Sequence, residues 1–140
     1  MITSKQALDR FGSPLHEASL VLWDVPQDLE IGTIPKRLYC NWLLVGPLTL
    51  AFRNLIASGC VHELKTWDGC FNIRQKRGGT SASLHSWGLA IDVNAAWNGF
   101  GHPFTLSKGF VKCFTDAGFE WGGEWTPCDG MHFQLRNWPK

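Results

Sequence analysis

Long apolar runs are missing from this chain. A membrane span needs about 18 consecutive apolar residues. The longest apolar stretch here, near Leu43–Ile56, is broken by Gly46, Pro47, Thr49, Arg53 and Asn54. Met1 through Arg10 likewise has no apolar core of the kind a secretory signal requires. The expectation is a soluble protein with no stable membrane insertion, exported, if at all, by another route. Charge of one sign is also missing. Thirteen Lys and Arg against twelve Asp and Glu leave a net charge of +1, whereas a nucleic-acid protein is usually clearly basic. The one basic run, Arg74-Gln75-Lys76-Arg77, reads on its own as a solvated turn. The five cysteines, Cys40, Cys60, Cys70, Cys113 and Cys128, contain no C-x-x-C pair. That absence, with their odd number and irregular spacing, speaks against a structural zinc ribbon and against a disulfide framework. Reduced thiols are expected, with a Cys60–Cys70 or Cys40–Cys128 bridge left open. Tyrosine is almost absent: one Tyr stands against eight Trp and nine Phe, which must therefore supply both an aromatic core and any indole-lined groove.

What is present fits one globular domain. The 44% hydrophobic and 18% charged content is ordinary for a soluble protein, and 140 residues suffice for a real core. No repeat or low-complexity linker divides the chain, so residues 1–140 are read as one domain. Ser4–Phe11 reads as a helix capped by Thr3 or Ser4 and stopped by Gly12 and Pro14. Ala18–Trp23 leans to strand, and Asp28–Leu38 is loop-like. Trp42–Ser58 is the strongest helix, with Pro47 in its first turn and Gly59 at its end. Val61–Trp67 and Cys70–Arg74 predict a hairpin turning at Asp68-Gly69. Arg77–Ser81 and Asn94–Pro103 read as loops. Leu89–Val93, Phe119–Trp121 and Met131–Leu135 read as strands, and Leu106–Ala117 as a helix capped by Ser107. Helices among antiparallel strands predict an α+β domain with a central antiparallel sheet and helices packed against it.

Two segments carry chemistry. Ser83-Leu84-His85-Ser86-Trp87-Gly88-Leu89-Ala90-Ile91-Asp92 holds a histidine and an aspartate, and Asp129-Gly130-Met131-His132 holds another of each. Two His, one Asp and a spare acid are the parts of a zinc hydrolase site. On a straight strand His85 and Asp92 would lie roughly 23 Å apart and face opposite sides. Donor atoms sharing one zinc must lie within about 3–4 Å of each other. If both bind one metal, the chain must turn between them; Gly88 can supply the unusual backbone angles, and Ala90 keeps the following strand thin. Alternation places His132 and Gln134 on one strand face and Met131, Phe133 and Leu135 on the other. Each residue alone has an ordinary structural reading; the set shifts the balance. His16, His62 and His102 lack such context and read as structural or surface residues.

Taken together, Ser83-x-His85-x-x-Gly88-x-Ala90-x-Asp92 and Asp129-x-x-His132 resemble the zinc D-Ala-D-Ala carboxypeptidase and L-alanyl-D-glutamate endopeptidase family of peptidoglycan peptidases. That family includes phage endolysins and is related to D-Ala-D-Ala dipeptidases. Trp67-Asp68-Gly69-Cys70-Phe71-Asn72-x-Arg74 and Gly118-Phe119-x-Trp121-Gly122-Gly123 extend the resemblance to about Asn41–Leu135. It implies a small α+β domain whose antiparallel sheet holds one Zn²⁺. His85, Asp92 and His132 are implied as ligands and Asp129 as the catalytic base. Arg74 is implied as the arginine beside the substrate, with Arg77 as the fallback. Ser83, Trp125 and Gln134 are candidates for substrate contact or for orienting the ligands. The aspartate base, in place of the dipeptidases' glutamate, resembles the endolysin branch.

The implied activity is hydrolysis of a peptidoglycan stem peptide at the L-Ala–D-Glu bond, by a monomer. It would be made in the host cytoplasm without a signal and reach the wall after release through the membrane. Removal of a terminal D-Ala is the alternative within the family. A non-catalytic wall-binding module, or a single-strand nucleic-acid binder using Trp stacking, are the alternatives outside it; the filled site and the neutral charge balance weigh against them.

Overall fold

Thr3 starts the first helix, α1 (Ser4–Phe11), through a capping box in which its hydroxyl accepts from Gln6 N and the Gln6 side chain returns to Thr3 N. The computed structural model describes residues 1–139. After α1 come β1 (Leu20–Asp24), β2 (Arg37–Asn41), α2 (Val45–Ser58), β3 (Trp67–Gly69), β4 (Ala90–Val93), α3 (Lys108–Thr115), β5 (Phe119–Trp121) and β6 (His132–Leu135). Short 3₁₀ turns link several of them. Helices combined with antiparallel sheets make this an α+β fold. No described helix is long and apolar enough to cross a membrane.

The strands form two sheets. The pair β1–β2 stands apart from a four-stranded sheet ordered β3-β4-β6-β5. The register of the larger sheet sorts its side chains. Asp92 lies opposite His132, Ala90 opposite Gln134, and Glu120 opposite Gln134. These residues share one face. Ile91 lies opposite Phe133, and Phe119 opposite Leu135, on the other. Helix α3 covers that apolar face: Phe114 lies 4.6 Å from the Phe133 ring and Phe110 6.4 Å from it. Phe110, Phe114, Phe119 and Phe133 are fully buried, each stabilising by roughly 1.5–3 kcal/mol. The packing of Phe133 thus anchors the strand whose opposite face presents His132. Helix α2 joins the two sheets, with Phe52 stacked on Trp23 and edge-on to Trp67.

Three expectations are corrected. The helix expected over Trp42–Ser58 begins with a 3₁₀ turn, Trp42–Leu44, capped by the Asn41 side chain, and becomes α-helical at Val45. Residues 37–41 form a strand, although the loop reading ran through Leu38; Leu38 and Cys40 are buried and Arg37 and Tyr39 exposed along it. The hairpin over 61–74 does not form. Residues 60–63 are a 3₁₀ turn, and Trp67–Gly69 pairs with β4 instead. Asp68 does not turn the chain because its carboxylate accepts from Thr66 Oγ1 and from Ala95 N, both at 2.8 Å, pinning the segment beside the end of β4.

All five cysteines are free thiols. Burial pushes the Cys40 thiol up to about 12 and the Cys70 thiol well above its ordinary value.

Candidate metal centre

His85 sits on a 3₁₀ turn, Leu84–Trp87, that ends at Gly88 with φ 66°. A side chain at Gly88 would collide with Asn41 N and with Leu20 Cδ2, each 2.7 Å from the Cβ position, so the turn tolerates only glycine. The turn reverses the chain and carries it into β4, where Asp92 is the third residue. That reversal brings together two residues whose separation on a straight strand would keep them apart. Ser83 caps the turn, its Oγ accepting from His85 N at 3.3 Å. The segment after β3, expected as a strand, clamps the turn from outside. Asn72 N donates to His85 O, and Arg74 and Ser86 exchange two hydrogen bonds, Arg74 N to Ser86 Oγ and Ser86 Oγ to Arg74 O.

One nitrogen or oxygen from each of His85, Asp92 and His132 lies within 4.8 Å of the others, and all three residues are buried. His85 Nε2 is 3.2 Å from Asp92 Oδ2, and His132 Nδ1 is 3.5 Å from Asp92 Oδ1. The far side of each ring is occupied: His85 Nδ1 lies 2.6 Å from Cys70 O and His132 Nε2 lies 2.9 Å from Gln134 Oε1. The near nitrogens, His85 Nε2 and His132 Nδ1, are buried without a hydrogen-bond partner. Buried polar atoms ordinarily have one, so two converging imidazole nitrogens without partners beside a carboxylate fit a cation. Two imidazoles and one carboxylate are a donor set that zinc accepts, leaving a position open for water or substrate.

Asp129 lies beside this trio. Its loop is tied down where Asp129 N donates to Gly122 O at 2.7 Å and Trp121 Nε1 donates to Gly130 O at 2.8 Å. A side chain on Gly122 would meet Asp129 O at 2.5 Å, which explains the glycine after Trp121. Asp129 Oδ1 is a third buried atom with no partner.

Arg77 connects the two acids. Its Nη1 donates to Asp129 Oδ2 at 2.7 Å and its Nη2 to Asp92 Oδ2 at 2.5 Å. Arg74 reaches Asp92 Oδ2 only at 3.5 Å and spends Nη1 on Gln75 O. Burial opposes the charge on Arg77, but Asp92 and Asp129 outweigh it and raise its pKa. Arg74 is shifted down, by burial and then by Arg77. The arginine joined to both acids is therefore Arg77, the residue that the sequence ranked behind Arg74. Burial alone would raise the Asp92 carboxyl; the Arg77 guanidinium pressed against it holds it below the usual carboxylate range. Burial pushes His85 down, keeping it neutral and able to donate a lone pair.

A pocket of about 320 Å³ opens onto these groups, lined by Arg74, Arg77, Ser83, Trp125, Asp129, His132 and Gln134 among others. Trp125 forms part of its wall, its ring 5.3 Å from that of His132. Trp87 and Trp121 are buried instead, Trp87 with its indole N–H on Gly12 O. Sequence reading missed Ser86 and Glu120. Glu120 accepts from Gln134 Nε2 at 2.6 Å, and its place opposite Gln134 emerges only from the strand register.

Two buried imidazoles, a carboxylate and a flanking acid at the foot of a cleft are the parts from which a metal-dependent hydrolase site is built. Residues 77–135 match a protein-family model described as D-alanyl-D-alanine carboxypeptidase. The matched stretch contains Arg77, Ser83, His85, Asp92, Trp125, Asp129, His132 and Gln134; Arg74 lies outside it. The match spans less than half of the chain. No curated protein and no solved structure matches the chain.

Proposed function

We propose that this protein is a zinc-dependent peptidoglycan peptidase acting on wall stem peptides, an endolysin-type enzyme that cuts the L-Ala–D-Glu bond. The observation that carries the reading is the meeting of His85 Nε2, Asp92 and His132 Nδ1 within 4.8 Å, with both ring nitrogens unpartnered. The match of residues 77–135 supports the enzyme class. The choice of bond rests on the resemblance of the aspartate base to the endolysin branch.

His85, Asp92 and His132 would hold the ion. When bound, zinc supplies a Lewis acid and a water whose pKa is brought down to about 7. Asp129 Oδ1 takes a proton from the attacking water and returns it to the leaving amine. Arg77 holds the other Asp129 oxygen and so fixes which lone pairs face the cleft. Arg74 and Arg77, both on the pocket wall, stabilise the negative charge developing on the scissile carbonyl oxygen. Trp125 offers an apolar wall that limits water on one side of the cleft.

A second reading, removal of a terminal D-Ala, is favoured by the description of the matching family model. Mass spectrometry of muropeptides digested with zinc-loaded protein separates the two. New L-Ala carboxyl termini support the endopeptidase; free D-Ala supports the carboxypeptidase. Clearing of peptidoglycan that persists after chelation would remove the zinc reading altogether.

A further inference from the structure

We infer that Glu120 and Gln134 form a tautomer lock that fixes the His132 proton on Nε2 and leaves the Nδ1 lone pair facing Asp92 and His85. The lock rests on the metal-site reading for its purpose but not for its geometry. A carboxylate oxygen only accepts, so Glu120 Oε1 at 2.6 Å must face the NH₂ end of the Gln134 amide. That orientation turns Gln134 Oε1 toward His132 Nε2 at 2.9 Å. A ring nitrogen facing a carbonyl oxygen must carry the proton, and a neutral imidazole has only one. Nδ1 is therefore bare, in agreement with its burial without a partner. The Cys70 carbonyl at 2.6 Å does the same for His85 from the opposite nitrogen, leaving Nε2 bare. The two imidazoles thus offer different nitrogens toward one point.

The register makes the chain of contacts possible. Gln134 lies two residues from His132 on β6, and so on the same face, and Glu120 is its partner across β5. Glu120 reaches the proposed ligands through its hydrogen bond with Gln134 and so acts as a positioning residue. Partners of this kind typically change metal affinity by about 10–100-fold when removed.

The test uses ¹⁵N-labelled full-length protein without metal, near pH 8, above the ordinary imidazole pKa of about 6.5. Imidazole spectra should show His132 protonated at Nε2 and bare at Nδ1. Glu120→Gln replaces an acceptor with an amide that can donate to Gln134 Oε1, so the Gln134 amide is free to flip and both His132 tautomers should appear. Gln134→Leu removes the acceptor outright. Zinc affinity, measured by competition with a chromophoric chelator, should fall about tenfold in Glu120→Gln and up to about 100-fold in Gln134→Leu. An unchanged His85 signal shows that the site has kept its fold, and the isosteric Glu120→Gln carries the test if Gln134→Leu does not fold. Wild-type His132 protonated at Nδ1 overturns the lock. So do an unchanged tautomer and affinity in Glu120→Gln. Wild-type protein with the expected tautomer that binds no zinc leaves the lock standing and removes the metal-site reading instead.

Discussion

Arg77 and Asp129 share a 2.7 Å hydrogen bond that engages only one oxygen of the carboxylate. The other, Oδ1, is buried without a donor. One guanidinium therefore fixes the orientation of Asp129 while leaving it an acceptor to use. Asp129→Ala is expected to keep stoichiometric zinc and to lose about 10²–10⁴-fold in turnover of muropeptides. Metal analysis by atomic emission, run beside the activity assay, checks both halves. Zinc lost along with activity would make Asp129 a ligand.

His85→Ala, Asp92→Ala and His132→Ala are each expected to lose zinc and, with it, the stabilisation that zinc gives the wild type, because binding free energy adds to folding free energy. Unfolding curves with and without zinc should separate for the wild type and nearly coincide for each variant. A variant that still binds one equivalent tightly removes that residue from the ligand set.

Arg77 should matter more than Arg74. Arg77→Ala leaves Asp92 and Asp129 buried without the cation that bridges them. In the metal-free protein this should cost on the order of 3 kcal/mol in denaturant unfolding. Arg74→Ala removes only a 3.5 Å contact with Asp92 and should cost under about 1 kcal/mol. Equal losses would contradict the ranking drawn from these distances.

Acid should destabilise the metal-free protein in two stages. Burial lowers His85 below its ordinary 6.5, so the unfolded chain takes up this proton first and stability falls as pH drops below 6.5. Asp92 lies below its ordinary 3.8; its contribution is present above 3.8 and is lost as pH falls further. Unfolding free energies across pH 3–8 test the sign. Stability that rises between pH 6.5 and 5 would contradict a buried, neutral His85.

Much of this architecture is legible in the chain. Thr3 and Gly12 bound α1 and Ser107 caps α3 as their residue types require. The alternation of Met131–Leu135 separates an apolar face from a polar one. The spacing of His85 and Asp92 demands a turn if both are to hold one metal, and Gly88 supplies it. Asp68-Gly69 misleads because the usual signal for a hairpin turn is overridden by a local hydrogen bond from Thr66 and a long-range one from Ala95. The order of Arg74 and Arg77 is also illegible, since three residues of local sequence do not reveal which guanidinium the loop carries to the acids.

The sequence by itself determined which residues are candidates for the chemistry, that a metal shared by His85 and Asp92 needs a turn at Gly88, and which strand face His132 shares with Gln134. These follow from side-chain chemistry and from backbone periodicity, both local properties. Only the tertiary structure decided that Asp92 and His132 are direct cross-strand neighbours, that Arg77 spans Asp92 and Asp129, and that Glu120 orients Gln134. Strand register and the path of the 75–82 loop set these relations, and both depend on packing between segments distant in sequence.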